Sequence, residues 1–313
     1  MDVTPRRVAV LDERLFIPER FKKEIFSHVK SVFLAPLTFK SKFSPPLMLM
    51  ISGRPGDGKT FQTTKYLEQM GVEQFKISAA NFENKDAGQP AVFLRKTYES
   101  AVDWVRRKNH SQLAAIIIND IDTAIGNFAN DNTIVQYTVN TQNVVGELMD
   151  LADSKLDNSI RVPIILTGND ITKLYEPLKR SGRMRIFKWK LTKNETAKIV
   201  RCVYGDFLCE DECDKLIDAM DRKTKELQLP SVTISFYADI LARAFGESLW
   251  EIHNEFRVMG RSLPCTLSDH EMVFKTSLDN LTEIGLDLLK AISESNFSDL
   301  NNGRDLRDQI LAT

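Results

Sequence analysis

The 313 residues suffice for two ordinary domains or one large one, and 42% hydrophobic with 27% charged residues is the profile of a soluble globular protein. A net charge of −1 calls for no polyanion, so no nucleic-acid partner is expected. The longest apolar runs, LMLMIS and LAAIII, are too short to span a membrane, and MDVTPRRVAV lacks the apolar core of a signal peptide; no membrane association and a cytoplasmic location, or its plastid-stroma equivalent, are expected.

Residues 1–45 read as an N-terminal segment packing on the core that follows. Leu47–Ser52 is a short buried-strand run set off by Pro45 and Pro46. Thr60–Met70 reads as a helix stopped by Gly71, and Val72–Ser78 alternates like a strand. Pro90 opens a helix whose Leu94, Tyr98, Ala101 or Val102, and Val105 share one face, a core-packing stripe. Next come a strand at Leu113–Ile118, a polar loop and a helix from about Thr133 to Ala152. Val162–Thr167 and Met184–Trp189 are two further strands.

Strands alternating with helices predict an α/β domain at 46–190 with a mostly parallel five-stranded sheet flanked by helices. After Lys190 the texture turns helical, predicting a smaller all-helical domain at 191–290. Leu278, Leu281, Ile284, Leu286 and Leu289 line a helix there, and 291–313 reads as a loose polar tail. Cys202, Cys209, Cys213 and Cys265 form no C-x-x-C pair, so neither zinc nor a disulfide framework is expected, only reduced and mostly buried thiols.

Chemistry concentrates after the first strand. GRPGDGKT, Gly53 to Thr60, fits G-x-x-x-x-G-K-[ST] between a strand and a helix. Gly53, Gly56 and Gly58, with Pro55 and Asp57 between them, let the backbone turn tightly so that its N–H groups face phosphate oxygens. The helix opening at Lys59, Thr60 and Phe61 aims its positive end at the same anion. Lys59 suits the β- and γ-phosphates, and the Thr60 hydroxyl suits Mg²⁺. ATP with Mg²⁺ is the expected ligand.

The strand AAIII ends in Asn119-Asp120-Ile121-Asp122, which puts Asp120 and Asp122 at a strand end facing the γ-phosphate. One acid would hold Mg²⁺ through water and one would orient the attacking water; Asp120, nearest the strand end, is favoured for the latter and is also placed with Thr60 on the metal. Asn169 in TGND is placed to bond the γ-phosphate or the lytic water. Arg180 and Arg183, in PLKRSGRM, are planar multi-donor cations able to complete a neighbouring subunit's site from a subunit edge.

This order of segments resembles the AAA+ ATPase family, and within it the Rubisco activases. The residues carrying the likeness are GRPGDGKTFQ, ISAANFENKDAGQPA, INDID, QYTVNTQ, LMDLAD, and RVPIILTGND followed by LYEPLKRSGRM; a fainter likeness runs through ISFYADILARAF and SLDNLTEIGLDLL, for a span of roughly 16–290. The resemblance implies a ring, a hexamer in the active state, with ATP between subunits and Arg180 and Arg183 at the finger positions. It implies Arg243 as the arginine of the small helical domain that reads nucleotide, and Ala79–Gln89 and Gly126–Tyr137 as segments facing a central pore. It further implies Rubisco as client, deformed by ATP-driven domain motion so that inhibitory sugar phosphates leave.

Several positions depart from the activase pattern. Within SAANFENKDAG, Ala80–Asn84 stand where activases carry Gly-Glu-Leu-Glu-Ser, the connection from Ala152 to Arg161 is short, and Leu241 replaces a second Arg. No cysteine pair stands in the C-terminal segment, so redox control through such a pair is not expected. Two other readings remain open on the sequence: a related ATPase remodelling a different client, and a nucleotide-binding scaffold with little turnover, invited by Asn119 in the place of the usual first acid.

Overall fold

A computed structural model describes residues 15–39, 44–82, 88–124, 139–154, 160–259, 274 and 276–311. The chain divides into two compact units, Met1–Lys190 and Leu191–Thr313.

In the first unit the apolar runs become the strands β1 (Met48–Gly53), β2 (Glu73–Ile77), β3 (Ala114–Ile118), β4 (Ile164–Gly168) and β5 (Met184–Trp189). They form one all-parallel sheet in the order β2-β3-β4-β1-β5. The three inner strands are buried almost throughout, as sheets covered on both faces require, while edge strands β2 and β5 carry exposed positions. Helices α1 (Glu19–Phe39), α2 (Lys59–Gln69), α3 (Gln89–Arg107), the short α4 (Ile121–Ala124) and α5 (Val139–Asp153) accompany the sheet. On α3 the predicted stripe is buried at Leu94, Tyr98, Ala101 and Val105, with Val102 half-buried beside it. The helix expected from about Thr133 is described from Val139 onward; Gly126–Tyr137 lies outside the described residues.

The sequence reading assigned no helix to the N-terminal segment, yet α1 spans 21 residues. Phe21, Ile25, Val29 and Val32 recur at helical spacing and are all buried. Phe21 packs edge-on against Trp189 of β5 with ring centroids 4.6 Å apart, and Arg20 lies over the same indole. Arg20 also donates to the Lys190 carbonyl at 2.6 Å, and Glu24 pairs with Arg185. Helix α1 therefore packs on the face of β5 that carries Arg185, Phe187 and Trp189. At the opposite end of the inner strands, buried Arg161 donates to the carbonyls of Pro45 and Ala152, joining the chain before β1 to the end of α5.

The second unit is helical: α6 (Lys193–Tyr204), α7 (Glu210–Glu226), α8 (Ile234–Val258) and α9 (Leu278–Leu311). Thr192 and Glu195 form a reciprocal capping box that starts α6. Leu216, Met220, Tyr237, Ile240, Leu281, Ile284 and Leu289 share one core. Gly285 lets α9 come close: a Cβ there would stand 2.7 Å from the Met220 sulfur and 2.9 Å from Ile240 Cδ1. The polar tail expected to be loose is instead helical through Leu311, a correction to the sequence reading. Once packing of Leu281 and Ile284 has nucleated the helix, each added residue gains a backbone bond without a new nucleation cost.

The thiol expectation also needs correction. Among the described residues Cys213 is buried, Cys202 is half-buried and Cys209 is exposed at the start of α7; Cys265 lies outside the described residues. Burial raises the Cys213 thiol to about 11, which keeps it protonated at neutral pH.

Candidate nucleotide site

The strand order decides where the chemistry meets. Strand β4 pairs with both β1 and β3, so the loops leaving the carboxyl ends of these three strands are neighbours. They bound a cleft of about 570 Å³ lined by Pro55, Gly56, Gly58, Lys59, Thr60, Phe61, Ser78, Asn119, Asp120, Thr123 and Asn169.

Gly56 and Gly58 adopt φ of 80° and 75°, the left-handed conformation that lets the loop fold back before α2. Gly53 lies flat on β5: a Cβ there would stand 2.2 Å from the Trp189 carbonyl oxygen. The Trp189 indole N–H donates to the Asp57 carbonyl at 2.9 Å, so Trp189 fixes the loop from its far side. Asp57 itself is buried and faces Arg54, with 3.3 Å from Nε to Oδ2; it braces the loop and lines no part of the cleft.

Lys59 is buried with all three ammonium protons engaged. It donates to the Gly53 carbonyl at 2.7 Å, the Arg54 carbonyl at 2.9 Å and Asn169 Oδ1 at 2.8 Å. Burial lowers its pKa, and the carboxylates of Asp120, Asp57 and Asp122 pull in the opposite direction. The predicted cation and the predicted γ-phosphate reader thus meet directly.

The two candidate acids part company. Asp120 is exposed at the cleft with φ of 51°. Asp122 is buried, and its Oδ2 accepts the backbone N–H groups of Asn169 at 3.1 Å and Asp170 at 3.0 Å. The expectation that both acids face the γ-phosphate is corrected on this point: Asp122, inside the first turn of α4, points at the end of β4. Gly168 makes room for it, since a Cβ there would stand 2.6 Å from Asp122 Oδ1. Asp122 thereby holds the backbone of Asn169.

Thr167, which the sequence reading passed over as part of a buried strand, is fully buried beneath the cleft. Its hydroxyl lies 3.2 Å from Thr60 Oγ1, 3.4 Å from Asn119 Oδ1 and 3.3 Å from the Asp120 amide nitrogen. Ser78 was also missed; its signal was positional, the first residue after β2 as Asn119 is the first after β3.

The arginines lie elsewhere. The Met48 amide donates to the Arg183 carbonyl at 3.1 Å, at the amino end of β1, whereas the cleft opens past its carboxyl end at Gly53. Five strand steps separate the two by roughly 17 Å, beyond an arginine's reach, so neither Arg180 nor Arg183 serves the cleft of its own chain. Arg183 is clamped by Asp153, at 2.9 Å from Nε to Oδ1 and 2.5 Å from a terminal nitrogen to Oδ2, and donates to the Pro177 carbonyl at 2.8 Å. That guanidinium holds the Asp153 carboxyl below its ordinary pKa. Arg180 is exposed. Arg243 lies in the second unit, exposed on α8 and paired with Asp239 at 3.1 Å. Leu241 packs on that unit's core, a sufficient physical reason for an apolar side chain at its position.

The donor set fits Mg²⁺. Thr60, Asn119 and Asp120 offer hard oxygens, and no cluster of three or more His, Cys, Asp or Glu side chains suited to another metal exists among the described residues. Of the predicted pore-facing segment, Phe82 is buried in the core of the first unit, so it anchors the segment; residues 83–87 lie outside the described residues.

Residues 49–190 match the family model described as ATPase family associated with various cellular activities (AAA). The chain carries an AAA-family ATPase domain. The AAA domain is accompanied by likeness over a longer span: the chain is 35% identical over 245 residues to ribulose bisphosphate carboxylase/oxygenase activase of an Anabaena species, covering 75% of this chain and 55% of that protein. It is 34% identical to the Nostoc activase, over 74% of this chain and 54% of the relative. It is 30% identical to the chloroplastic activase of Solanum pennellii, over 88% of this chain and 60% of the relative. The chain thus spans about half the length of the curated relatives it matches. The parallel five-stranded sheet with its flanking helices and the helical region after it bear out the predicted AAA+ architecture. No helix among the described residues is long and apolar enough to cross a membrane.

Proposed function

We propose that this AAA protein hydrolyses ATP with Mg²⁺ in a ring of identical subunits and uses the cycle to remodel Rubisco, freeing inhibitory sugar phosphates, in a cytosolic or stromal compartment. The observation that carries the ATPase part is the meeting of Lys59, Thr60, Asp120 and Asn169 at one cleft from three adjacent strands. The activases among its relatives support the client.

The glycine loop and Lys59 bind the phosphates. Thr60 and the Asn119–Asp120 turn would hold Mg²⁺, which would supply charge neutralisation to the phosphates. Asp120 orients the attacking water, Asn169 contacts the γ-phosphate, and Phe61, exposed beside the cleft, offers an apolar face to the nucleotide. Arg180 acts in trans as the reaching group, and Arg183, held on Asp153 of its own chain, braces it. Arg243 acts as the nucleotide-reading arginine of the helical domain.

Phosphate release measured with the purified chain is expected to be Mg²⁺-dependent, and adding it with ATP to sugar-phosphate-inhibited Rubisco is expected to restore carboxylation. ATP turnover without any gain in carboxylation would transfer the reading to a different client, an alternative favoured by the altered SAANFENKDAG segment. Near-zero turnover with nucleotide bound would support a scaffold instead.

Arg180→Ala is expected to lower turnover at least about 100-fold with nucleotide affinity retained, in keeping with the contribution of arginine fingers. Mixing Arg180→Ala with Lys59→Met subunits is expected to recover part of the activity, because one kind of interface then joins an intact cleft to an intact finger. Undiminished turnover by Arg180→Ala, or no recovery on mixing, would sink the trans assignment.

A further inference from the structure

The strand β4 hydroxyl of Thr167 has a role that follows from counting protons. A threonine hydroxyl has one proton and two lone pairs. Thr167 donates its proton to Asn119 Oδ1 at 3.4 Å, and it accepts the Asp120 backbone N–H at 3.3 Å. Either hydroxyl can donate in the contact with Thr60 Oγ1, 3.2 Å away; with the Thr167 proton on Asn119, Thr60 is the donor. The Thr60 proton is then directed down into the sheet, and both lone pairs of its oxygen remain available to the cleft, which Thr60 also lines.

The same hydroxyl bears on the backbone. Asp120 is one of four non-glycine residues with positive φ among the described residues, at 51°. That conformation is strained for an L-residue, and Asp tolerates it better than most. Asp120 is held there by its N–H bond to Thr167 and by Thr123, whose hydroxyl donates to the Asp120 carbonyl at 2.7 Å. Strain of this kind persists where surrounding structure over-determines it. Thr167 thus reaches three elements at once, the start of α2, the end of β3 and the turn into α4, from a position with no exposure of its own.

We propose that Thr167 is a positioning residue for the divalent cation: its hydroxyl orients the Thr60 hydroxyl with lone pairs toward the cleft and holds the Asn119–Asp120 turn opposite it. The proposal rests on the ATPase reading above and deepens it, since it concerns a residue that would touch neither nucleotide nor metal. Without the Thr167 hydroxyl, the Thr60 proton is free to swing toward the cation site, and the Asp120 N–H loses its partner.

The test uses the full chain and a fluorescent ATP analogue, titrated with and without Mg²⁺, beside the thermal midpoint of the nucleotide-free protein. Thr167→Val keeps the shape and removes the hydroxyl, and Thr167→Ser keeps the hydroxyl. Thr167→Val is expected to raise the Mg²⁺ concentration for half-saturation about tenfold, the loss of one to two buried hydrogen bonds, while Mg²⁺-free affinity stays within about twofold. Thr167→Ser is expected to lie within about threefold of wild type in Mg²⁺ half-saturation. If Thr167→Val does not fold, Thr167→Ala carries the same expectation.

Unchanged Mg²⁺ half-saturation in Thr167→Val overturns the proposal and leaves the ATPase reading standing. So does a Thr167→Ser variant as impaired as Thr167→Val, or a Mg²⁺-free affinity that falls as far as the Mg²⁺-dependent one. Wild-type protein that shows no Mg²⁺-dependent nucleotide binding overturns the ATPase reading, and this proposal with it.

Discussion

Lys59→Met is expected to abolish Mg·ATP binding and reduce phosphate release to background, while the nucleotide-free protein melts no lower than wild type. The two halves have one cause. Lys59 is a buried cation whose charged form burial disfavours, and its ammonium is satisfied by two carbonyls and Asn169. Lys59→Met removes the cost of burying that charge, which offsets the loss of its bonds to the three acceptors. Binding is different, because the phosphate loses a charge-assisted partner, about 3 kcal/mol or roughly 100-fold in affinity for that contact alone. Lys59→Arg is expected to fail as well, because a planar fork does not reproduce a compact three-donor ammonium between these partners. Isothermal titration with ATP and melting curves for the three proteins decide the matter. Retained tight binding in Lys59→Met, or a collapse of the empty protein, would contradict it.

The second large effect is a pH dependence of stability set by His28. This side chain lies on α1, is 3% exposed, and has no hydrogen-bond partner at Nε2 among the described residues. Burial, with Arg185 and Arg161 adding to it, lowers its pKa from 6.5 to about 3; the neighbouring backbone at Leu47 and Ile164 pulls the other way. Between pH 6.5 and 3 the unfolded chain binds a proton that the folded one refuses. Stability is therefore intact above the unfolded value and falls as pH drops below it, by about 1.4 kcal/mol per pH unit. His28→Leu removes that proton and an unpartnered polar atom together. Urea unfolding at pH 7.5, 6.5, 5.5 and 4.5 is expected to show similar midpoints at the top and a growing advantage for His28→Leu below pH 6.5. Parallel pH curves for the two proteins would rule this out.

Some of these features were legible in the residues and some were not, and the division follows the range of the interactions. Strands β1, β3 and β4 announced themselves because a strand buried on both faces must be apolar throughout. The Gly53–Thr60 loop did so because every part of phosphate binding there is local in sequence: glycines for the left-handed turns at Gly56 and Gly58, a lysine, a hydroxyl and a helix start. Helix α1 was less legible although its apolar spacing is regular, because Pro36 within it reads as a helix breaker. The helical character of 296–311 was missed because composition reports polarity and not continuation of a nucleated helix.

By itself, then, the sequence determined the α/β class, the phosphate loop and the strand ends on which chemistry had to sit, since these depend on local propensity and hydrophobic period. Tertiary structure alone decided which of those groups meet. Insertion of β4 between β1 and β3 brought Asn169 onto Lys59 and Thr167 under Thr60. It also separated two acids two residues apart: Asp120 turned outward into the cleft, and Asp122 turned inward to hold the end of β4. Nothing in the string Asn119-Asp120-Ile121-Asp122 distinguishes the two carboxylates. The choice is made by backbone N–H groups some fifty positions downstream, at Asn169 and Asp170, which need an acceptor once they are buried.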